Sequence, residues 1–211
     1  MPLNQSQWVS KNLGNDTMGT EGSIEREKRF FVDAREEKPW RNDDPKHIVQ
    51  HYLDRELLSL NGDMLEYDGT VLFALENENL TRYRSNSGWG ARLRKQNDRF
   101  IFTSKTKGDL QDEASNYEIE GDISQETYRN ILHGREVPHI HKTRYVWKDT
   151  QGLEWETDEF EGKLAGLVLV EVELKAEQEI DQLPPWAGHE ITGLSSWSNR
   201  ALAETLASRT D

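Results

Sequence analysis

The sequence predicts an α+β fold in which a mainly antiparallel sheet carries a few peripheral helices. Segments with strand-like alternation outnumber helix-like segments across the 211 residues. Turn signals such as Asn61-Gly62 and Gln151-Gly152 separate several of these segments. Seven Trp, six Tyr and six Phe supply packing groups in which a disordered chain would be poor. Together these observations favour a folded, strand-rich chain.

The strand-like segments begin after a polar stretch at 1–22, which we expect to be an N-terminal extension to a domain over 23–211. Their predicted ranges are 24–32, 71–75, 91–94, 99–105, 117–121, 142–147, 154–160 and 167–174. The polar, turn-rich stretch 54–90 is expected to be an insertion that carries its own hairpin.

Two helices are predicted, one starting near Ser124 and one over 199–207, where Leu202 and Leu206 lie four residues apart. Glu126, in the first turn of the former, suits the helix dipole. Periodicity does not decide whether the segment that follows Asp44-Pro45 is a third helix through Tyr52 or a strand.

The composition excludes several classes of function. The net charge of −13 argues against broad nucleic-acid binding, which normally requires a basic surface. The absence of Cys excludes disulfides, thiolate metal sites and thiol nucleophiles. No long apolar run or signal-peptide core is present, so we expect a soluble cytoplasmic protein without a membrane partner.

Charged residues recur two apart within the predicted strands, and such residues share one face of a strand. These groups are Glu25, Glu27 and Arg29; Arg92 and Arg94; Thr103 and Lys105; Glu118 and Glu120; Lys142 and Arg144; and Glu171 and Glu173. On spacing alone, a solvated face explains such pairs best. The occurrence of acidic and basic pairs on six separate strands favours a second interpretation, in which they converge on one site.

A site formed by these converging pairs could bind both a metal ion and phosphate groups. Carboxylates are hard oxygen ligands for Mg²⁺ or Mn²⁺. Guanidinium and ammonium groups donate charge-assisted hydrogen bonds to phosphate oxygens. A polyphosphate with bound metal requires both kinds of group at once.

The order of these pairs resembles the triphosphate tunnel metalloenzyme (CYTH domain) family. The motifs that carry the resemblance are Glu25-Arg26-Glu27-Lys28-Arg29 (ExExK), Arg92-Leu93-Arg94 (RxR), Thr103-Ser104-Lys105 (TxK), Glu118-Ile119-Glu120 (ExE), Lys142-Thr143-Arg144-Tyr145 (KTRY), Asp158-Glu159-Phe160-Glu161-Gly162 (DxFxG) and Glu171-Val172-Glu173-Leu174 (EVEL). A C-terminal signature follows at Pro185-Trp186-Ala187-Gly188-His189-Glu190-Ile191-Thr192.

The resemblance implies a closed antiparallel β-barrel, or tunnel, of about eight strands with peripheral helices. The implied metal ligands for Mg²⁺ or Mn²⁺ are Glu25, Glu27, Glu120, Asp158, Glu171 and Glu173. The implied phosphate-binding residues are Arg29, Arg92, Arg94, Lys105, Lys142 and Arg144. The implied catalytic residues are Glu25, Glu27, Arg29, Lys105 and Glu171.

The activity implied is metal-dependent hydrolysis of a small-molecule triphosphate by a monomer or homodimer. Inorganic tripolyphosphate is the favoured substrate because nothing in the sequence announces a base-recognition pocket. Thiamine triphosphatase and class IV-type adenylate cyclase remain alternatives. A non-catalytic polyphosphate- or nucleotide-binding module is a further alternative, favoured by Arg29 at the lysine position of ExExK. A second departure from the family pattern is Asn116, which stands two residues before the ExE motif, where the family often has Arg.

Two histidines and two tryptophans are given no metal-binding or phosphate-binding role. His139 and His141 are spaced as in some metal sites, but they lie in opposite phase to Lys142 and Arg144, so we expect them to point away from the site. Trp186 and Trp197 are interpreted as packing residues.

Overall fold

Twelve strands and three α-helices form the part of the chain that the computed structural model describes, residues 26–35, 37–107, 116–175 and 178–208. The strands are β1 (Arg26–Val32), β2 (Lys46–Leu53), β3 (Leu58–Asn61), β4 (Met64–Tyr67), β5 (Thr70–Ala74), β6 (Gly90–Gln96), β7 (Arg99–Lys107), β8 (Asn116–Asp122), β9 (His139–Lys148), β10 (Glu154–Phe160), β11 (Val168–Leu174) and β12 (Ala187–Glu190). The helices are α1 (Asn77–Ser85), α2 (Gln125–Leu132) and α3 (Asn199–Ala207). The predicted extension 1–22 and Glu25 lie outside the described residues.

The segment after Pro45 is a strand, which decides the question that periodicity left open. Its buried residues Ile48, Gln50 and Tyr52 alternate with less buried neighbours, and this period of two is that of a strand with one packed face.

Nine strands form one antiparallel sheet in the order β12-β1-β11-β10-β9-β2-β6-β7-β8. The α+β class and the large antiparallel sheet are therefore confirmed. We call the side that carries Arg92, Arg94, Lys142 and Arg144 the charged face, and the other side the apolar face.

The chain between β2 and β6 forms a second, three-stranded sheet, β3-β4-β5, followed by α1. This unit packs on the apolar face of β6, β7 and β8, where Leu65 and Tyr67 join the cluster that contains Leu93, Phe102 and Ile119. The segment predicted as an insertion therefore covers the apolar face of the strands that carry Arg92 and Arg94.

A close contact fixes this unit against β8. A Cβ atom added at Gly121 would lie 2.6 Å from a ring carbon of Phe73, which is nearer than real Cβ atoms approach. We expect Gly121→Ala to lower the free energy of unfolding by about 1–3 kcal/mol, because overpacking forces neighbouring groups to shift. Urea denaturation would measure the change.

Gly90→Ala is the matched control, because its added Cβ would meet Lys105 O at 3.4 Å, near ordinary contact distance. Removing the ring in a Phe73→Leu/Gly121→Ala double variant should recover part of the loss. Equal stability of Gly121→Ala and the wild type would contradict the tight packing of Phe73.

The apolar face of β1, β10 and β11 carries a second cluster, in which Trp40 and Trp155 are fully buried and Trp186 packs against both. Trp186 is therefore a packing residue, as predicted.

Helix α3 covers one end of the charged face. Leu202 and Ala203 pack against Tyr52, Phe160 and Leu169, and Trp197 joins this cluster as a packing residue. The guanidinium of Arg200 donates to Ala91 O at 3.3 Å and lies 5.1 Å from the centroid of the Tyr52 ring. The charged residues of the strands therefore lie beside an apolar end wall.

Both predicted helices, α2 and α3, are confirmed, and a serine forms the N-cap of each. Ser124 Oγ accepts from Thr127 N in α2, and Ser198 Oγ accepts from Ala201 N in α3. Within the described ranges, no helix combines the length and the apolar character needed to cross a membrane.

Candidate active site

The strand register brings the predicted site residues to one face of the sheet. Directly paired residues lie side by side on the same face of an antiparallel sheet. The pairs are Glu27 with Glu173, Arg29 with Glu171, Arg144 with Asp158, Lys105 with Glu118 and Thr103 with both Arg92 and Glu120. Lys142 lies two residues from Arg144 and Arg94 two from Arg92, so all of them belong to the charged face. The alternation read from the sequence is thereby confirmed for the described strands.

The charges divide into two sectors. The acidic sector lies on β1, β9, β10 and β11 and includes Glu27, Asp158 and Glu171. The basic sector lies on β6, β7 and β8 and includes Arg92, Arg94 and Lys105. The structure places Glu120 in the basic sector, where its carboxylate lies 4.0 Å from both Arg92 and Arg94.

The centre of the acidic sector is a pair of neighbouring carboxylates, Glu27 and Glu171. Arg29 Nη2 joins them, at 2.7 Å from Glu27 Oε1 and 2.6 Å from Glu171 Oε1. Burial and the adjacent charge of Glu171 raise the pKa of Glu27, and the opposing effect of Arg29 and Lys105 does not cancel them. Although burial opposes ionisation, Arg29 and Arg144 hold the pKa of Glu171 below its usual value.

A buried ion pair lies deeper in the same sector. Lys142 Nζ lies 2.5 Å from Asp158 Oδ2, and each side chain is only 1% exposed. Burial and the nearby charge of Arg144 lower the pKa of Lys142 to about 8. Despite its burial, Asp158 has a pKa well below its usual range because Arg144 and Lys142 stabilise its charge.

Arg144 links this pair to the centre of the sector. Its Nε donates to Asp158 Oδ1 at 2.6 Å, and Nη2 donates to Asp158 Oδ2 at 2.7 Å and to Glu171 Oε2 at 3.0 Å. Nη1 donates to Glu156 Oε2. One guanidinium therefore holds three carboxylates together.

The cations of the basic sector make fewer close ion pairs and hydrogen bonds to carboxylates than Arg144 makes in the acidic sector. Arg92 Nη2 donates to Glu118 Oε1 at 3.0 Å and to Thr103 Oγ1 at 3.2 Å. Lys105 Nζ lies 3.4 Å from Glu118 Oε2. Burial and the repulsion of Arg92 lower the pKa of Arg94 to about 10.

Three arginines keep a buried donor without a partner. The Nε atoms of Arg29, Arg92 and Arg94 are buried, and no hydrogen-bond acceptor meets them among the described residues. A buried unsatisfied donor is costly. These atoms are therefore suited to an anion that brings its own acceptor oxygens.

The predicted metal ligands are only partly together. Glu27 and Glu171 are neighbours and Glu173 lies on the same face, but Asp158 is enclosed by Lys142 and Arg144, and Glu120 lies with the arginines. In the described ranges, no three Asp, Glu or His side chains are already grouped to hold a metal ion. Glu25, predicted as a further ligand, lies outside these ranges.

The histidines lie on the opposite side of the sheet from Lys142 and Arg144, as their phase predicted. His139 pairs with His51 in the register, and the ring centroids of His139 and His141 are 5.4 Å apart. Burial, followed by the two neighbouring histidines, lowers the pKa of His51 to about 4.

Sequence reasoning missed three participants of the charged face. Glu156 binds Arg144, and alternation from Asp158 along β10 would have indicated it. Gln50 and Tyr52 lie on β2, whose strand character was undecided, and Gln50 Nε2 donates to Tyr52 Oη at 3.3 Å.

The family described as CYTH domain has a model that matches residues 82–202. An inorganic triphosphatase of Nitrosomonas europaea is 37% identical over 117 residues, which are 54% of this chain and 75% of that protein. An inorganic triphosphatase of Acetivibrio thermocellus is 41% identical over 69 residues, 33% of this chain and 44% of that protein. A solved structure of the inorganic triphosphatase NE1496 is 27% identical, with a TM-score of 0.47, 85% of this chain and 93% of that chain being covered. The match of more than half of the sequence to the family model, together with the first relative, shows that this chain belongs to the CYTH domain family.

Proposed function

We propose that this protein is a divalent-metal-dependent hydrolase that cleaves a phosphoanhydride bond of a triphosphate, with inorganic tripolyphosphate as its substrate. The observation that carries the proposal is the meeting of a carboxylate pair, buried Glu171 and half-buried Glu27, with three arginines that have unpartnered Nε atoms, on one sheet face. Both curated relatives described above are inorganic triphosphatases, and their likeness to this chain supports the same activity.

We propose further that the nine-stranded sheet curls into a tunnel with the charged face inside. Five strands separate β1 from β7 in the sheet order, so a flat sheet would hold them roughly 29 Å apart at the usual strand spacing. The charge of Lys105 on β7 nevertheless acts on Glu27 on β1, where it opposes the rise in pKa that burial and Glu171 cause. Such an influence requires proximity across the charged face, and this supports closure.

The carboxylate pair fits a hard divalent cation. Arg29 bridges Glu27 and Glu171, yet their repulsion still contributes to the raised pKa of Glu27, and a divalent cation bound at this pair would relieve it further. We assign the cation to Glu27, Glu171 and Glu173, with Glu25 as a further ligand, and choose Mg²⁺ or Mn²⁺ because the donors are carboxylate oxygens. When bound, the cation supplies Lewis-acid polarisation of phosphate oxygens.

The basic side chains hold the phosphates in this account. Arg29, Arg92 and Arg94 have buried donors to offer, and the side chain of Lys105, which is 40% exposed, lies on the same face. Charge-assisted bonds from these groups fix a linear anion and stabilise the charge that develops on the leaving phosphate. Because phosphoryl transfer depends mainly on positioning and electrostatics, such a cradle contributes most of what the reaction needs from the protein.

The placement of segment 54–90 favours tripolyphosphate over a nucleotide. Its small sheet and α1 pack on the apolar face rather than on the charged face, so they add no base-binding wall beside the arginines. Recognition restricted to phosphates is consistent with this arrangement.

A phosphate-release screen tests the proposal. Purified protein would receive tripolyphosphate, ATP or thiamine triphosphate with Mg²⁺ or Mn²⁺, and a parallel assay would detect cyclic AMP. We expect tripolyphosphate to be cleaved fastest, and EDTA to abolish release. Binding of tripolyphosphate without turnover under either metal would show a binding module instead, and cyclic AMP formation from ATP would show a cyclase.

A further inference from the structure

Four of the six histidines of the chain lie on one small area of the apolar face. His47 and His51 belong to β2, and His139 and His141 belong to the neighbouring strand β9. Alternation places all four on the side of the sheet opposite to Lys142. The sheet itself therefore separates these histidines from the charged face. We call His51, His139 and His141 the histidine cluster, because their rings neighbour one another.

His139 is the centre of the cluster. It pairs directly with His51 across the β2–β9 ladder. The amide of Tyr52 donates to Pro138 O at 2.9 Å, and such a bond flanks a non-hydrogen-bonded pair, in which facing side chains lie closest. The ring centroids of His51 and His139 are 5.4 Å apart, and those of His139 and His141 are also 5.4 Å apart. His139 therefore has one imidazole neighbour across the ladder and another along its own strand.

These separations suit a shared metal ion. Two imidazoles that bind one tetrahedral zinc ion, at about 2.0–2.1 Å for each nitrogen, hold their ring centres roughly 5 Å apart. Burial is the main cause of the low pKa of His51, and the charges of His139 and His141 add to it, so all three rings lie within mutual reach. The rings are not yet grouped tightly enough to hold an ion, so binding requires them to rotate. His139 and His141 are exposed and have room to do so.

The hydrogen bonds of the cluster leave ring nitrogens available to a metal ion. His139 Nδ1 lies 3.1 Å from Val137 O. Because a carbonyl oxygen only accepts, Nδ1 carries the proton and Nε2 keeps its lone pair. A hydrogen bond of this kind commonly orients a histidine that binds metal through its other nitrogen. The buried Nδ1 of His51 has no hydrogen-bond partner among the described residues.

We infer that His51, His139 and His141 form a second metal site, for a transition metal ion of the Zn²⁺ class, on the apolar face of the sheet. Imidazole nitrogens suit Zn²⁺, Cu²⁺ and Ni²⁺, whereas Mg²⁺ and Mn²⁺ prefer the carboxylate oxygens of the charged face. Three histidines leave the fourth position of a tetrahedral ion to water. Since His51 and His139 lie on different strands, the ion would tie β2 to β9. This site is independent of the proposed hydrolysis.

Isothermal titration calorimetry with Zn²⁺ tests the site. The full chain would be titrated in a large excess of Mg²⁺, which fills the carboxylate position on the charged face. We expect the wild-type protein to bind one Zn²⁺ ion, and His139→Gln to weaken this binding by at least about 10-fold. Replacing a residue that merely orients a ligand commonly costs 10–100-fold in metal affinity, so losing the central ligand should cost no less. His51→Gln and His141→Gln should also weaken Zn²⁺ binding.

Two other histidines provide matched controls, His47→Gln and His189→Gln, each of which should change the Kd of Zn²⁺ by less than about 3-fold. His47 lies on the same face but four residues from His51, roughly 13 Å along β2. His189 is an exposed residue of β12, which β1, β11 and β10 separate from β9. No Zn²⁺ binding by the wild-type protein would overturn the site. Binding that is lost in Glu171→Gln but kept in His139→Gln would overturn it too, because the ion would then lie on the charged face.

Nuclear magnetic resonance of the ¹⁵N-labelled histidine rings identifies the ligands directly. On addition of Zn²⁺ the Nε2 signal of His139 should shift, together with ring signals of His51 and His141, while those of His189 stay in place. Equal shifts in all six histidines, or none in the cluster, would contradict the assignment.

Phosphate release from tripolyphosphate in Mg²⁺ should be the same for His139→Gln and the wild type, because His139 lies on the opposite face from the charged residues. A wild-type protein that binds Zn²⁺ through the cluster but releases no phosphate would end the proposed hydrolysis and leave the second site standing. An active protein whose histidine signals ignore Zn²⁺ would do the reverse.

Discussion

Glu171→Gln is expected to lower kcat/KM for tripolyphosphate by roughly 100-fold or more, since each 1.36 kcal/mol lost from transition-state stabilisation is tenfold in rate. Glu171 contacts both Arg29, at 2.6 Å, and Arg144, at 3.0 Å, and it neighbours Glu27. The amide keeps the size of the side chain but removes the charge that attracts a divalent cation. Steady-state phosphate release across a Mn²⁺ titration measures the effect.

Glu171→Gln should also lower the stability of the protein. Glu171 is 10% exposed, and its amide would leave two guanidinium groups with a weaker acceptor, so the free energy of unfolding should fall by about 1–3 kcal/mol. Glu190→Gln is the control, because that carboxylate is 45% exposed and lies 3.9 Å from Lys28. A folded Glu171→Gln protein with near-normal turnover would remove Glu171 from the site.

Arg94→Met is expected to raise the KM for tripolyphosphate by roughly 10- to 100-fold, which corresponds to the loss of one or two hydrogen bonds to a charged group. Arg94 has an unpartnered buried Nε, and burial together with the neighbouring Arg92 lowers its pKa to about 10. A bound phosphate would satisfy the donor and offset the repulsion, so the residue gains most when the substrate is present.

The stability of the Arg94→Met protein should not fall together with its activity. Removing a buried, weakly paired cation beside another cation should leave the free energy of unfolding unchanged or raise it by about 1 kcal/mol. Arg99→Met is the control, because Arg99 is 62% exposed and pairs with Asp122 at the surface. A large loss of stability in Arg94→Met, with KM unchanged, would show that Arg94 serves the fold instead of the substrate.

Alternation of charge predicted which face each strand would turn toward the site, because a period of two follows directly from strand geometry. It correctly assigned Arg29, Arg92, Arg94 and Lys105 to one face, and it correctly turned His139 to the other. The start of α2 near Ser124 and the range of α3 were equally local signals, and both are confirmed.

The burial of each charged side chain and the order of the strands in the sheet could not be predicted from the sequence. Nothing local distinguishes Lys142, which is fully buried, from Lys105, which is 40% exposed, because burial depends on what α3 covers. Strand order decides which charges meet, and it places Glu120 beside Arg92 and Arg94, away from Glu171. For the same reason the commitment of Arg144 to three carboxylates could be found only in three dimensions.

The segment 54–90 shows a different limit of sequence reasoning. Its hairpin was expected, but β3 and β4 have only four residues each and were too short to be assigned, and the sequence did not reveal which face they would cover. The contact of Phe73 with Gly121 answers that question. Whether this segment is an insertion within the family stays a prediction.

The central claim is that one sheet face holds a metal ion on its acidic sector and a triphosphate between Arg29 and the arginines of the basic sector. A crystal structure with Mn²⁺ and tripolyphosphate, recorded at a wavelength where manganese scatters anomalously, tests this most directly. The account predicts a manganese peak beside Glu27 and Glu171 and phosphate oxygens at Arg29, Arg92 and Arg94. Manganese or tripolyphosphate bound only outside the charged face would contradict it.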